Sequence, residues 1–269
     1  VNVSLGQRYQ YQFLGNEKID TRTLRDIVKK DANEITVHDL KNHIKGKVLR
    51  EYLSNGYYGT NVNVTLQTYL SINKTKVNNY LVHIKEGVRY KVKKVNFIGN
   101  SLISLEKLKA FFYEKSSVLA ARGFLDEDFI NSFQGMIQEY YLSRGFVYVS
   151  ILKPEVIKDS INKSAVVNFF IKEKQQSIIE EIKTIGLDEK LRKLVLNKIK
   201  NKKNKPLDII ELEGDITKSV NVIRGEGYFF ARFIERGDIV GYKANYSSSN
   251  IKFKYFLGRR LVVDKVLFT

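Results

Sequence analysis

Side chains able to carry out acid–base, nucleophilic or metal chemistry are sparse in this chain. The histidines are His38, His43 and His83, and none stands in a metal-binding spacing with cysteine or a carboxylate cluster. His38 and His43 lie off the i, i+4 interval by which one helix face presents two ligands. Cysteine is absent, which excludes disulfides and thiolate chemistry but leaves the redox compartment open. No phosphate loop or nucleophile elbow occurs. Asp126, Glu127 and Asp128 read as charge at a helix start, where the macrodipole favours carboxylates, rather than as an acid pair. The expectation is a protein that is not an enzyme and uses neither cofactor nor metal. The remaining chemistry is that of the backbone, whose unpaired N–H and C=O groups at a sheet edge recruit extended segments of other chains.

Composition describes folded material, with 43% hydrophobic and 28% charged residues. No apolar run is long enough for a membrane helix, and the first residues lack the plan of a signal peptide. The net charge of +17 fits an acidic partner, such as nucleic acid or an anionic lipid surface, or equally a Lys- and Asn-rich bias. The longest basic run comprises Lys190, Arg192, Lys193, Lys198, Lys200, Lys202, Lys203 and Lys205. It reads as the solvated face and exit of a helix whose other face carries Leu191, Leu194 and Ile199, with contact to anionic head groups as the alternative.

The elements that position any edge are found through an internal repeat. An alternating apolar run ends in Gly-Asn at Gly15-Asn16 and Gly99-Asn100, and in Gly186-Leu187. A second landmark follows in each unit: Tyr52 to Tyr57 (YLSNGY), Tyr141 to Phe146 (YLSRGF) and Val222 to Tyr228 (VIRGEGY). Both recur at roughly 80 to 90 residues. Residues 258–268 copy the layout of 87–97, so the next Gly-Asn is expected just past Thr269.

Each unit reads strand, helix, helix, strand, strand. Apolar stripes at helical spacing mark the second helix: Val37, Leu40, Ile44, Val48 and Tyr52; Phe129, Phe133, Ile137 and Tyr140; Ile209, Leu212, Ile216, Val220 and Ile223. Thr36 with Asp39, Asp126, and Pro206 are the expected start signals. Gly56, Gly145 and Gly227 fit the left-handed residue that ends a helix. Gly46 and Gly135, in mid-helix, mark either a close approach by a neighbouring element or a tolerated weak spot. Alternation then predicts two strands joined by polar turns at 73–76, 159–163 and 246–250.

A strand ending in Gly-Asn (FIGN, 97–100), a helix closing on Tyr-x-x-x-Gly-Tyr (YLSNGY, 52–57) and a hairpin ending near Glu-Gly (IKEGVRYKV, 84–92) resemble the POTRA domains of BamA- and TamA-type outer-membrane proteins. The resemblance covers essentially the whole chain and is weakest in the third unit, which lacks the Asn after Gly186 and adds Gly225. It implies an α+β fold of three tandem β-α-α-β-β modules, each a three-stranded sheet packed on two helices. Their bounds are expected at 1–87, 88–174 and 175–258, with 259–269 the start of a further module that is cut short. Gly15, Gly56, Gly99, Gly145, Gly186 and Gly227 are the structural glycines of the motif.

The resemblance also implies a periplasmic scaffold in a Gram-negative-type bacterium, beside a C-terminal membrane β-barrel and neighbouring POTRA modules. Its partners would be unfolded outer-membrane β-barrel proteins and accessory lipoproteins. In the family the strand after the second helix is associated with client pairing. Here that means Asn61, Val62, Asn63, Val64, Thr65 and Leu66; Val147, Tyr148, Val149, Ser150 and Ile151; and Phe229, Phe230, Ala231, Arg232 and Phe233. The same residues serve equally as hairpin core, and Pro154 would blunt the second edge. The competing readings are a TamA-like or two-partner secretion translocator, which usually has fewer modules, and a cell-division protein, which usually has one. A basic nucleic-acid-binding repeat protein would need exposed Arg and aromatic residues on one face; most aromatics here fall on buried periods, so no nucleic acid is expected.

Overall fold

The computed structural model of the chain describes residues 8–30, 39–72 and 75–262. The first run of elements is β1 (Arg8–Leu14), α1 (Thr21–Lys29), α2 (Leu40–Ser54), β2 (Tyr57–Tyr58), β3 (Asn61–Leu70) and β4 (Lys76–Lys85). There follow β5 (Val88–Arg89), β6 (Lys91–Ile98), α3 (Leu105–Lys115), α4 (Val118–Ala121), α5 (Glu127–Leu142), β7 (Ser150–Ile151), β8 (Glu155–Asp159) and β9 (Ser164–Lys172). The last are β10 (Ile178–Ile185), α6 (Glu189–Lys198), α7 (Leu212–Gly225), β11 (Arg232–Ile234), β12 (Val240–Tyr242) and β13 (Ser248–Phe256). The α+β class read from the sequence is observed. No helix among the described residues is long and apolar enough to cross a membrane.

Three small sheets share one plan, in which the final strand is central. Their orders are β1-β4-β3, β6-β9-β7 with β8 also paired to β9, and β10-β13-β11 with β12 also paired to β13. β1 runs parallel to β4 from Arg8↔Val77 to Leu14↔His83, and β10 runs parallel to β13. β3, β7 and β11 close the three sheets on the other side in antiparallel fashion. By compactness the described residues fall into two units: one runs up to Asn96 and adds Ala110–Ile130 and Glu155–Asn168, and the other takes Phe97–Lys109, Asn131–Pro154 and the residues from Phe169 onwards.

Side-chain period decides what each element buries. Leu24 and Val28 of α1 and Leu40, Ile44, Val48 and Tyr52 of α2 form one apolar face, packed on Phe13, Val62, Tyr80, Val82 and Ile84 from alternate strand positions. Each such side chain contributes about 1.5–3 kcal/mol when fully buried. The other unit repeats the scheme with Val195, Ile216 and Ile223 against Ile179, Ile251, Phe253 and Tyr255.

The Gly-Asn motif has a physical reason in both halves. Gly15, Gly99 and Gly186 all have positive φ, and a Cβ on each would lie 2.2, 2.1 and 2.3 Å from the carbonyl oxygens of Ile84, Ile171 and Tyr255. The following Asn organises the turn into the helix. Asn16 Nδ2 donates to the Ile19 carbonyl at 3.0 Å, and Asn100 Nδ2 to that of Ile103 at 2.9 Å. Where Leu187 replaces Asn, this side-chain bond is lost, and Asp188 caps α6 by accepting the Leu191 N–H at 2.8 Å, as Asp20 caps α1 through the Thr23 N–H at 2.9 Å.

Several sequence expectations are corrected. Asp39 sits at the start of α2 without a side-chain capping bond; Thr36, Val37, His38 and Asn73 lie outside the described residues, as do residues 263–269 of the expected further module. Pro206 does not open a helix, since α7 begins at Leu212 and leaves Ile209 ahead of it. The cause is buried Asp215, which accepts the N–H groups of Lys200 and Asn201 and the Asn201 side chain. Asn201 in turn bonds both backbone groups of Asp208, so the chain between them is held as a loop rather than a helix. The third polar turn lies at 243–247 rather than 246–250, because Ser249 already pairs with Tyr242 of β12. No close approach explains Gly46 or Gly135: nothing lies within 4 Å of a Cβ built on either.

The end of the central strand carries a carboxylate clamp. Glu173, almost fully buried, accepts the N–H groups of Ser101, Leu102 and Ile103, the Ser101 hydroxyl, and the Tyr141 hydroxyl at 2.8 Å. Glu86 has the matching place and accepts from Tyr52 Oη and the Lys18 N–H, both at 2.7 Å. Burial pushes the Glu173 carboxyl up, but the Leu102, Ser101 and Tyr141 donors outweigh it and hold it below the usual range. Burial and the neighbouring carboxylate raise the Tyr141 phenol.

Two measurements follow. Gly46→Ala and Gly135→Ala should each stabilise the chain by about 0.5–1 kcal/mol in denaturant titration, whereas Gly99→Ala should cost about 1–3 kcal/mol; equal effects would remove the close-approach account of Gly99. The lowered Glu173 pKa adds stability that is complete above the usual carboxylate value near 4.5 and lost as pH falls through the lower folded value. Glu173→Gln should therefore cost about 1.5–3 kcal/mol at neutral pH and flatten this acid limb, while an unchanged limb would assign it to other carboxylates.

Candidate functional site

β3 is the first candidate edge, and its position is set by the residues on either side. Tyr57 and Tyr58 pair with Arg89 and Val88. Thr60 Oγ1 accepts the Gly87 N–H and donates to the Tyr57 carbonyl, each at 3.0 Å. Tyr58 Oη accepts the Glu127 N–H at 2.8 Å and donates to the Leu125 carbonyl, and burial pushes its pKa up to about 12. The Arg89 guanidinium covers the Phe124 ring at 3.7 Å. These contacts fix where β3 begins and where β4 ends.

From there β3 pairs with β4 without interruption, from Asn61↔Lys85 to Leu70↔Lys76. Its other side is a sheet edge. All of Asn61, Val62, Asn63, Val64, Thr65 and Leu66 lie in it. Val62, Val64 and Leu66 face the core, while Asn61, Asn63 and Thr65 are exposed on the opposite face. The edge offers ten residues of backbone.

The second and third candidates are shorter than the alternation implied. Val147, Tyr148 and Val149 precede β7 as a turn closed by the Val149 N–H on the Phe146 carbonyl; only Ser150 and Ile151 are strand. Gln134 Nε2 of α5 donates to the Ile151 carbonyl at 2.9 Å. Pro154 then separates β7 from β8, as expected of a residue without an N–H. Phe229, Phe230 and Ala231 likewise precede β11, which contains Arg232 and Phe233. The Ala231 N–H turns back to the Tyr228 carbonyl, and Arg224 Nε of α7 donates to the Ala231 carbonyl at 3.1 Å. In both places a tight turn after the helix-ending glycine mimics strand periodicity, and a helix side chain occupies a carbonyl there.

Gly56, Gly145 and Gly227 have φ of +80°, +88° and +97°, the conformation expected for ending a helix. The first part of the basic run, Lys190, Arg192, Lys193 and Lys198, lies on α6, which buries Leu191 and Val195, and Lys200, Lys202, Lys203 and Lys205 follow its end. Lys190 pairs with Glu226, Arg192 and Lys193 with Glu189, and Lys200 with Asp208. Among the described residues no group of His, Cys, Asp and Glu could hold a metal ion.

Sequence reasoning missed the clamp, although its parts were visible: Tyr52 and Tyr141 in one motif, Glu86 and Glu173 in another. The available signal was their joint loss in the third repeat, where Ile223, Leu257 and Leu187 stand at the corresponding places of Tyr, Glu and Asn.

Comparison with known proteins agrees with this geometry over part of the chain. Residues 90–174 match the model of the POTRA family, described as a surface antigen variable number repeat. No curated protein matches significantly. Among solved structures, POTRA domains 3–5 of Haemophilus influenzae BamA are 13% identical with a TM-score of 0.41, covering 93% of this chain and 95% of that one. POTRA domains 1–3 of the periplasmic domain of Omp85 from Anabaena are 9% identical with a TM-score of 0.33, covering 93% of this chain and 94% of that one. The segment that matches the POTRA family model is the one that contains β6, α3, α5, β7, β8, β9 and the Glu173 clamp.

Proposed function

We propose that the chain is the periplasmic scaffold region of an outer-membrane β-barrel assembly protein, and that it holds unfolded barrel proteins as extended segments. In this reading three POTRA modules span 1–87, 88–174 and 175–258, and a further one opens at 259–269. Accessory lipoproteins and a membrane β-barrel belonging to the same protein complete the machinery. The POTRA match at 90–174 and the recurrence of one strand order support the modular part.

The observation that carries the binding part is the edge of β3, ten residues long and unbroken by proline. Client strands differ in side chains but share a backbone, so recognition through N–H and C=O groups accommodates many of them, and side-chain contacts at alternate positions add selectivity. The short β7 and β11, each flanked by a carbonyl already engaged by a helix side chain, offer less.

Titration of the isotopically labelled chain with peptides copied from alternating barrel strands should shift the amide signals of Asn61–Leu70. The same peptides N-methylated at alternate residues should lose the effect, because methylation removes the donors of a ladder. Shifts confined to α1 and α2, or unaffected by methylation, would exclude pairing at this edge.

A further inference from the structure

We propose that the outer face of the first sheet selects, among the segments that add to β3, those that place a carboxylate beside Asn61 and Asn63; this rests on the edge-strand reading above. The period of two sends Val62, Val64, Val82 and Ile84 toward the helices, and so sends Asn61, Asn63, His83 and Lys85 to the opposite face. Register brings these four together. Asn63 lies directly across from His83 and Asn61 from Lys85, with Leu14 on the other side of His83. All four polar side chains are exposed and border a depression of about 370 Å³.

The chemistry of this grid is one-sided. It offers an ammonium with three donors, an imidazole and two carboxamides, and no carboxylate lines the depression. Glu86, the next residue after Lys85, faces the other way, bonded to the Tyr52 hydroxyl and the Lys18 N–H. Farther along the same face stand Gln10, Gln12, Thr65, Gln67 and Asn79, again without an acid.

A strand added to β3 would lie about 4.8 Å from it. A residue on its outward face directly across from Asn61 or Asn63 would have its Cβ about 4.5–5.5 Å away. A Glu or Asp there meets the two carboxamides first, and the long Lys85 side chain supplies the charge from the next strand. A neutral residue gains only the amide contact. The preference should be modest and salt-sensitive, because all the groups are solvated.

The test uses the full chain and capped alternating peptides carrying Glu or Gln in turn at each outward position, with affinity read by fluorescence anisotropy and pairing by the β3 amide shifts. At one position Glu should bind about three- to fivefold tighter than Gln at low salt. The difference should vanish with Lys85→Gln, an exposed substitution, while the β3 shifts persist. Equal affinities at every position, or a Glu preference that survives Lys85→Gln, would overturn the selection and leave the edge reading standing. Absence of β3 shifts with either peptide would remove the edge reading, and the selection with it.

Discussion

A carbonyl oxygen occupies the place where a Cβ would stand at the end of each sheet's first strand. Gly15 meets Ile84, Gly99 meets Ile171 and Gly186 meets Tyr255, all within 2.3 Å of a built Cβ. That contact lets the first strand run beside the last and then turn sharply out of the sheet toward the helices. A larger residue would force the two strands apart at the point where the chain must change direction. Because the last strand is thereby central, the strand before it is pushed to the outside. The free edge of β3 is a consequence of the glycine at the far side of the sheet.

The turn created in this way exposes a run of backbone N–H groups that need acceptors. Two of the three sheets meet the need with a carboxylate, Glu86 or Glu173, steadied by a tyrosine from the second helix. The third has no such carboxylate and fills the space with Leu187, Ile223 and Leu257. The exchange is concerted for a physical reason: a buried glutamate without its donors, or a buried tyrosine hydroxyl without its acceptor, costs more than losing both.

Much of this was legible in the sequence. The apolar stripes of α2 and α5, the left-handed glycines and the alternation of β3 and β4 are local properties, set by residues a few positions apart. The failures share a cause. Pro206 was a sound helix-start signal, overridden by Asp215 reaching back to Lys200 and Asn201. Residues 147–149 alternate like a strand because a turn after Gly145 also places one side chain in and the next out. The grouping of Asn61, Asn63, His83 and Lys85 depends on the register of two strands, which no single stretch of sequence displays.

A strand edge left open over ten residues is ordinarily a liability, since it invites association with copies of itself. Here the outward positions are Asn61, Asn63, Thr65 and Gln67, with Tyr69 at the far end, rather than a continuous apolar strip, so a chance neighbour gains backbone bonds and little burial. Polar residues on the exposed face therefore lower the affinity for any one partner without closing the edge. The other two edges are treated differently, with Gln134 and Arg224 each satisfying a carbonyl from the adjacent helix and with Pro154 withholding a donor. The same topology thus produces one edge left open along its length and two that are shortened and partly occupied, and the difference lies in a few side chains rather than in the fold.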